Sequence, residues 1–255
     1  MHVAIVGKGG AGKSVIAGTL ARLLARRGDP VLALDSDTLP GLELSLGARP
    51  PATPPLMAAA ERGEDGRWRL KKGIGPVRAV QRFATDAPDG VRLLQSGKVD
   101  SVEGTKPIMP SLQAFYLVIH RLPRSPALRR WSVVGDLPAG PRQAAYDWAP
   151  YAETYVLVVE PTMQSLLAAR RIARIVSQRG QATVTPVANK VRRRADVTRI
   201  QDFLGVCAAA VVPADPAVAT AEREGVALLD VDPEGRVVAA LEGLLATLGG
   251  STLTP

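Results

Sequence analysis

The sequence predicts an α/β fold: a mostly parallel, twisted sheet with helices on both faces. Short apolar runs recur along the chain and alternate with helical patterns. Several runs are continuous rather than alternating, as strands buried on both faces require. A glycine-rich turn joins the first run directly to the first helical stretch. With 255 residues, 46% of them hydrophobic, the chain is long enough for one large domain with a sizeable core. Residues 1–255 are therefore read as a single domain.

Strands are expected at 2–6, 31–34, 91–94, 131–134, 154–159, 183–188 and 210–212. A helix over 12–27 ends at Gly28-Asp29-Pro30, and one over 165–178 ends at Arg179-Gly180. Strands alternating with helices imply right-handed crossovers. A last helix over 234–248 carries one apolar face (Val237, Val238, Leu241, Leu244, Leu245), which predicts packing on the body rather than on lipid. Residues 48–90 break the rhythm with Pro50-Pro51, Pro54-Pro55, Gly73-Ile74-Gly75-Pro76 and a charged stretch around Trp68. They predict an irregular excursion rather than a second domain.

Composition narrows the function classes. No apolar stretch approaches the roughly 20 residues that cross a bilayer, and no signal-peptide pattern precedes the first strand. One cysteine, Cys207, rules out an internal disulfide and fits a reducing cytoplasm, where the protein is expected to reside. With two histidines besides, no Cys/His zinc cluster can form. Cys207 lies in Gly205-Val206-Cys207-Ala208-Ala209 and is expected to be a small buried hydrophobe. Net charge is +8, with arginines clustered at Arg22/Arg26/Arg27, Arg121/Arg124/Arg129/Arg130, Arg170/Arg171/Arg174/Arg179 and Arg192-Arg193-Arg194. Such clusters serve polyanion binding or, at helical spacing opposite alanine and leucine, a solvated face; the solvated face is the expectation.

Residues 7–14, Gly-Lys-Gly-Gly-Ala-Gly-Lys-Ser, satisfy G-x-x-x-x-G-K-[ST] between a strand and a helix. Glycines let successive backbone N–H groups curl around one anion, and the helix beginning near Lys13 adds its positive end. Gly9, Gly10, Ala11, Gly12, Lys13 and Ser14 are thus candidate nucleotide-binding residues. Lys13 would reach the β- and γ-phosphates, and the Ser14 hydroxyl would hold Mg²⁺. Gly7, Gly9 and Gly12 also spell G-x-G-x-x-G, with Asp35 lying 23 residues beyond Gly12, the fingerprint of a dinucleotide site. Lys13-Ser14 favours the triphosphate, because a dinucleotide turn needs no lysine against its pyrophosphate.

Asp35-Ser36-Asp37 follows the second strand directly. One carboxylate there would help hold hydrated Mg²⁺, and the other would orient the water that attacks phosphorus. Asp136 ends a further apolar strand and precedes Leu137-Pro138-Ala139-Gly140. That is a Walker-B arrangement, binding Mg²⁺ through water, and the Gly140 N–H would meet the γ-phosphate. Asn189-Lys190 ends a strand where a base would sit, and the amide offers adenine a donor and an acceptor. A guanine-specific N-K-x-D would need an aspartate where Arg192 stands. Val212-Pro213-Ala214-Asp215 would wall the base pocket, with Pro213 and Asp215 as binding candidates.

Together these residues resemble the MinD/ParA/nitrogenase-iron-protein group of ATPases with the deviant Walker A motif, which carries an early loop lysine, here Lys8. The resemblance covers essentially the whole chain and implies the three-layer P-loop NTPase fold. Within the group the chain looks most like the CooC-type ATPases that mature nickel carbon monoxide dehydrogenase. The nearest points are Gly97-Lys98-Val99, Glu160-Pro161-Thr162 followed by Ser165, and Pro213-x-Asp215-x-x-Val218. The resemblance implies that Lys8 reaches across a homodimer to the partner's nucleotide as a catalytic cation, that Asp37 positions water, and that Asp35 serves Mg²⁺. CooC-type proteins carry a metal-binding Cys-x-Cys before a proline; the matching stretch here is Pro107-Ile108-Met109-Pro110, without cysteine. Val15 stands where the family has a second Ser/Thr at the α-phosphate, so only its backbone N–H remains for that contact.

The expected function is a Mg-ATP-dependent dimerisation switch with slow hydrolysis, stimulated by and acting on a client or activator protein. The alternative is a partition-type ATPase whose ATP dimer binds DNA or an anionic membrane. A remote third is a Rossmann NAD-dependent oxidoreductase.

Overall fold

The computed structural model describes residues 1–38, 41–49, 56–97, 105–180 and 182–250. Pro50-Pro51, Pro54-Pro55 and Lys98-Val99 lie outside the described residues. The chain opens with β1 (His2–Gly7), α1 (Lys13–Arg26), β2 (Val31–Asp35) and α2 (Leu42–Leu46). A small hairpin follows, β3 (Ala60–Arg62) and β4 (Trp68–Leu70), then α3 (Pro76–Phe83), β5 (Thr85–Asp86) and β6 (Arg92–Gln95). Next come α4 (Thr105–Ile119), β7 (Ser132–Asp136), α5 (Arg142–Ala145), β8 (Thr154–Val159), α6 (Met163–Arg179) and β9 (Thr183–Val191). The chain closes with α7 (Arg194–Leu204), β10 (Ala210–Pro213), α8 (Pro216–Glu224), α9 (Leu228–Val231) and α10 (Arg236–Gly250).

The main sheet has the order β10-β9-β8-β1-β7-β2-β6-β5, parallel except for β5, which pairs antiparallel with β6. Side-chain alternation sorts the two faces. Val3 and Ile5 join the core under α1, α2 and α10, while Ala4 and Val6 join the core under α4, α6 and α7. This is the mostly parallel sheet with helices on both faces that the sequence predicts. It places β1 at the centre, between β7 and β8, so its carboxyl end opens beside those of both neighbours. Gly18 lets α2 approach α1, because a Cβ there would lie 2.6 Å from the Ser45 carbonyl oxygen.

The excursion at 48–90 is more regular than expected. Its hairpin packs on α4, with Ala60 buried in the same cluster as Phe115. Pro76 sits in the first turn of α3, where its missing N–H does no harm. β5 then rejoins the main sheet. Pro110 lies inside α4, where it removes one helical hydrogen bond without ending the helix.

Two further expectations are corrected. Arg22 is not on a solvated face: it is 3% exposed, its Nε lies 2.6 Å from Asp89, its Nη1 lies 2.8 Å from Asp230, and it donates to the Leu46 carbonyl. The helices packed over α1 leave it no other exit. Cys207 is exposed, because α7 ends at Gly205 in a left-handed cap (φ 71°) and the cysteine falls in the turn that follows. The apolar face of α10 is buried, as expected. Among the described residues no helix is long and apolar enough to cross a membrane.

Candidate nucleotide site

The loop between β1 and α1 turns on two left-handed glycines, Gly10 (φ 76°) and Gly12 (φ 90°). Gly12 stands at the N-terminus of α1 with no side chain capping the helix, so the first-turn N–H groups remain available to an anion. Lys13 is 9% exposed and its Nζ donates to the Lys8 carbonyl at 3.5 Å. Lys8 itself stands on the loop rim, half-buried, and among the described residues no carboxylate pairs with it.

Parallel register brings Asp35 and Asp136 side by side at the ends of β2 and β7. Ser14 Oγ donates to Asp136 Oδ2 at 2.5 Å. Asp136 Oδ1 is buried and has no hydrogen-bond partner among the described residues. Burial pushes the Asp136 carboxyl up to about 6, against the opposing pull of the Ser14 hydroxyl and the Lys13 charge. Burial first, then the charge of Asp136, holds Asp35 well above the usual carboxylate range. The Asp35 oxygens accept the backbone N–H groups of Asp37 (3.0 Å) and Leu42 (3.3 Å), so this carboxylate shapes the loop that carries Asp37. Asp37 is half-buried beside it.

Two adjoining cavities flank the loop. One, of about 260 Å³, is bordered by Gly10, Gly12, Lys13, Ser14, Val15 and Gly41. The other, of about 240 Å³, lies toward Asn189, Val212, Pro213, Asp215 and Val218. Gly12, Val15 and Glu222 border both. Asn189 lines the second cavity and its amide is partly committed: it is 6% exposed and donates to the Ala11 carbonyl at 2.7 Å. A Cβ on Gly12 would lie 2.5 Å from that amide nitrogen, which explains the glycine. Asp215 also has structural duties, capping α8 through the Ala217 N–H and pairing with Arg236 at 3.1 Å.

Gly140 reaches the loop from β7 and donates its N–H to the Gly7 carbonyl at 3.0 Å. Gly9 and Ala11 complete the turn, where the Ala11 N–H donates to the Lys8 carbonyl at 3.2 Å. Sequence reasoning missed Lys190 as a loop support. Lys190 takes a left-handed backbone (φ 56°), and its Nζ donates to the Gly10 carbonyl at 2.6 Å while pairing with Glu160 at 2.9 Å. Both residues stood in noted motifs, yet nothing in their spacing signals the pairing. Glu222 was also missed; it lies on α8 with no local motif.

A glycine-rich loop at the centre of a parallel sheet, with a lysine, a serine and strand-end aspartates around it, defines a P-loop α/β protein. Residues 3–229 match the family described as the CobQ/CobB/MinD/ParA nucleotide binding domain, and the chain belongs to that family. The carbon monoxide dehydrogenase accessory protein CooC of Rhodospirillum rubrum is 28% identical over 251 residues, covering 92% of each chain. Among solved structures, the cell division ATPase MinD of Pyrococcus furiosus superposes with a TM-score of 0.70 at 24% identity, over 98% of this chain and 99% of that one. The septum site-determining protein MinD of Pyrococcus horikoshii, complexed with Mg-ADP, gives 0.69 at 23% identity, over 99% and 98%.

Proposed function

We propose that this chain binds Mg-ATP and hydrolyses it as a dimerisation switch that acts on a partner protein. The observation that carries the reading is Lys8: a loop-rim cation, without a carboxylate partner among the described residues, beside a second lysine, Lys13, that already faces the same loop. By the resemblance to the MinD/ParA group, Lys8 would serve the nucleotide of a second copy.

ATP would lie along the two cavities, with its phosphates on Gly9–Val15 and its base between Asn189 and the Pro213–Asp215 turn. The donor set fits Mg²⁺, being hydroxyl and carboxylate oxygens with one buried carboxylate oxygen unpartnered. Ser14 would hold the ion directly, with Asp35 and Asp136 acting through water. Bound Mg²⁺ would neutralise charge developing on the phosphates. Asp37 would orient the attacking water; as the water oxygen bonds to the γ-phosphorus and its proton passes to the phosphate oxygens or solvent, the bond to the β–γ bridging oxygen breaks, and ADP and phosphate depart. Lys13 and the partner's copy of the loop-rim lysine stabilise the transferring phosphoryl group. For the Gly140 N–H to meet the γ-phosphate, its bond to Gly7 must be exchanged, which ties the loop after β7 to nucleotide state.

The likeness to the Rhodospirillum rubrum accessory protein supports a role in readying a partner enzyme. The stretch Pro107–Pro110 falls in α4 and offers no thiolate, so a metal cargo held there has no support. A second reading is favoured by Arg170, Arg171, Arg174, Arg194 and Arg199, exposed on the adjacent helices α6 and α7 without ion pairs among the described residues. They would bind a polyanion. Gel filtration with and without Mg-ATP tests the main reading: a nucleotide-driven dimer supports it, and a monomer under both conditions removes it.

A further inference from the structure

The chain holds only ten aromatic residues, three Trp, four Tyr and three Phe. Four of them gather in one place, well away from the base cavity. Trp148 stacks on Phe115 (centroids 6.4 Å apart) and meets the edge of Tyr116 (5.5 Å), with Tyr146 beside them. Between α4 and the segment after Gly140 they leave an open cleft of about 420 Å³. Leu112, Gln113 and Tyr116 form one wall; Arg142, Tyr146 and Trp148 form the other. Met109 is exposed one turn before Leu112, so Met109, Leu112 and Tyr116 make a stripe along α4.

Two properties separate this cleft from ordinary surface. Tyr146 is 62% exposed, the most exposed large apolar side chain among the described residues, and it forms the lip. Arg142 lies over its ring at 5.7 Å and is, among the described residues, the only charged one lining the cleft. Among the described residues Arg142 has no carboxylate partner, whereas the nearby Asp147 is already paired with Arg179 at 2.8 Å. Arg179 also donates to the carbonyls of Ala144 (3.0 Å) and Ala145 (3.2 Å), so the wall is held in place. Tyrosine, tryptophan and arginine lining one pocket are what binding energy concentrates on.

We propose that this cleft docks a segment of a partner protein that presents an apolar or aromatic side chain next to an aspartate or glutamate. The apolar side chain fills the space between α4 and Trp148, and the carboxylate pairs with Arg142. Charge selects the occupant. A purely apolar segment would cover the guanidinium without compensation. Nucleic acid requires a basic stripe rather than one cation. A second copy of this chain is the rival occupant. The proposal names a partner-binding face and its chemistry, and it does not depend on ATP hydrolysis.

Random-peptide phage display on the full chain without nucleotide, counter-selected on Arg142→Glu, tests it. Enriched peptides should carry Asp or Glu within a few positions of Leu, Phe or Trp. In calorimetry their affinity should fall about tenfold or more for Arg142→Glu and for Tyr146→Ala. Replacing the peptide acid by lysine should weaken binding to the natural chain and restore it to Arg142→Glu, a readout that survives if Tyr146→Ala folds poorly. No enrichment, peptides without acids, or equal affinity for Arg142→Glu would overturn the proposal. So would loss of a Mg-ATP dimer in these variants with no peptide bound, which would assign the cleft to a second copy.

Discussion

Ser14 and Asp136 are joined across 2.5 Å, a bond that ties the start of α1 to the end of β7. It brings together the two residues proposed for Mg²⁺ and leaves the second Asp136 oxygen buried without a partner among the described residues. Between the usual carboxylate value near 4 and about 6, the folded protein holds a proton that the unfolded chain releases. Stability from this group is therefore present at low pH and lost as pH rises through about 6. Mg²⁺ with ADP should replace that proton. Differential scanning fluorimetry should show a larger Mg²⁺-dependent rise in Tm at about pH 7.5 than at about pH 5, and Asp136→Asn should reduce the difference, leaving the part due to Asp35. An equal rise at both values would exclude Asp136 as a ligand.

Lys8 and Lys13 should separate cleanly. Lys13→Ala should weaken ATP binding about 10- to 100-fold, as expected for a lost charge-assisted contact. Lys8→Ala should bind ATP normally yet fail to dimerise with it, and kcat should drop at least about tenfold. A Lys8→Ala protein that hydrolyses ATP at the unaltered rate would remove the cross-dimer role.

Lys190 is expected to hold the loop rather than take part in chemistry. Its ammonium bridges the Gly10 carbonyl and Glu160. Lys190→Met should raise KM for ATP roughly tenfold with kcat little changed, and Lys190→Arg should recover part of the loss. A fall in kcat alone would assign it a chemical role instead.

Arg22 anchors three segments. Its Nε pairs with Asp89, its Nη1 with Asp230, and it donates to the Leu46 carbonyl. Arg22→Leu should destabilise by about 1–2 kcal/mol, since Asp89 keeps only Arg26 and the half-exposed Asp230 loses its arginine. Burial raises the Asp89 carboxyl, but the hydrogen bond and charge of Arg22, with help from Arg26, leave it below its ordinary value. That contribution is present above the usual carboxylate value and lost as pH falls through the lowered one. The stability gap between the natural chain and Arg22→Leu, followed by circular dichroism, should therefore narrow as pH falls through that lowered value.

The sheet was legible because its central strands are continuous apolar runs and its turns carry Gly, Asp and Pro in expected places. Helix α4 was not, because Pro107 and Pro110 look like breakers, and only the folded chain shows the packing at Phe115 and Ile119 that offsets their cost. Arg192-Arg193-Arg194 looked like a charge cluster. It begins α7, and Asp196 accepts the Arg192 and Arg193 N–H groups. In the site, Lys13, Ser14 and Asp136 could be read from spacing alone. The Glu160–Lys190 pair could not, since it joins the ends of two strands that only the folded sheet brings together.

Both margins of the main sheet are poor templates for another strand. One ends in β5, two residues long and antiparallel to its neighbour. The other ends in β10, where the register slips between Val211 and Pro213 and the proline has no N–H to give. Sheet extension from copy to copy is discouraged at either margin. The dimer proposed for this chain would therefore have to form away from both sheet margins, and a face at the loop rim where Lys8 stands would leave assembly answerable to the nucleotide.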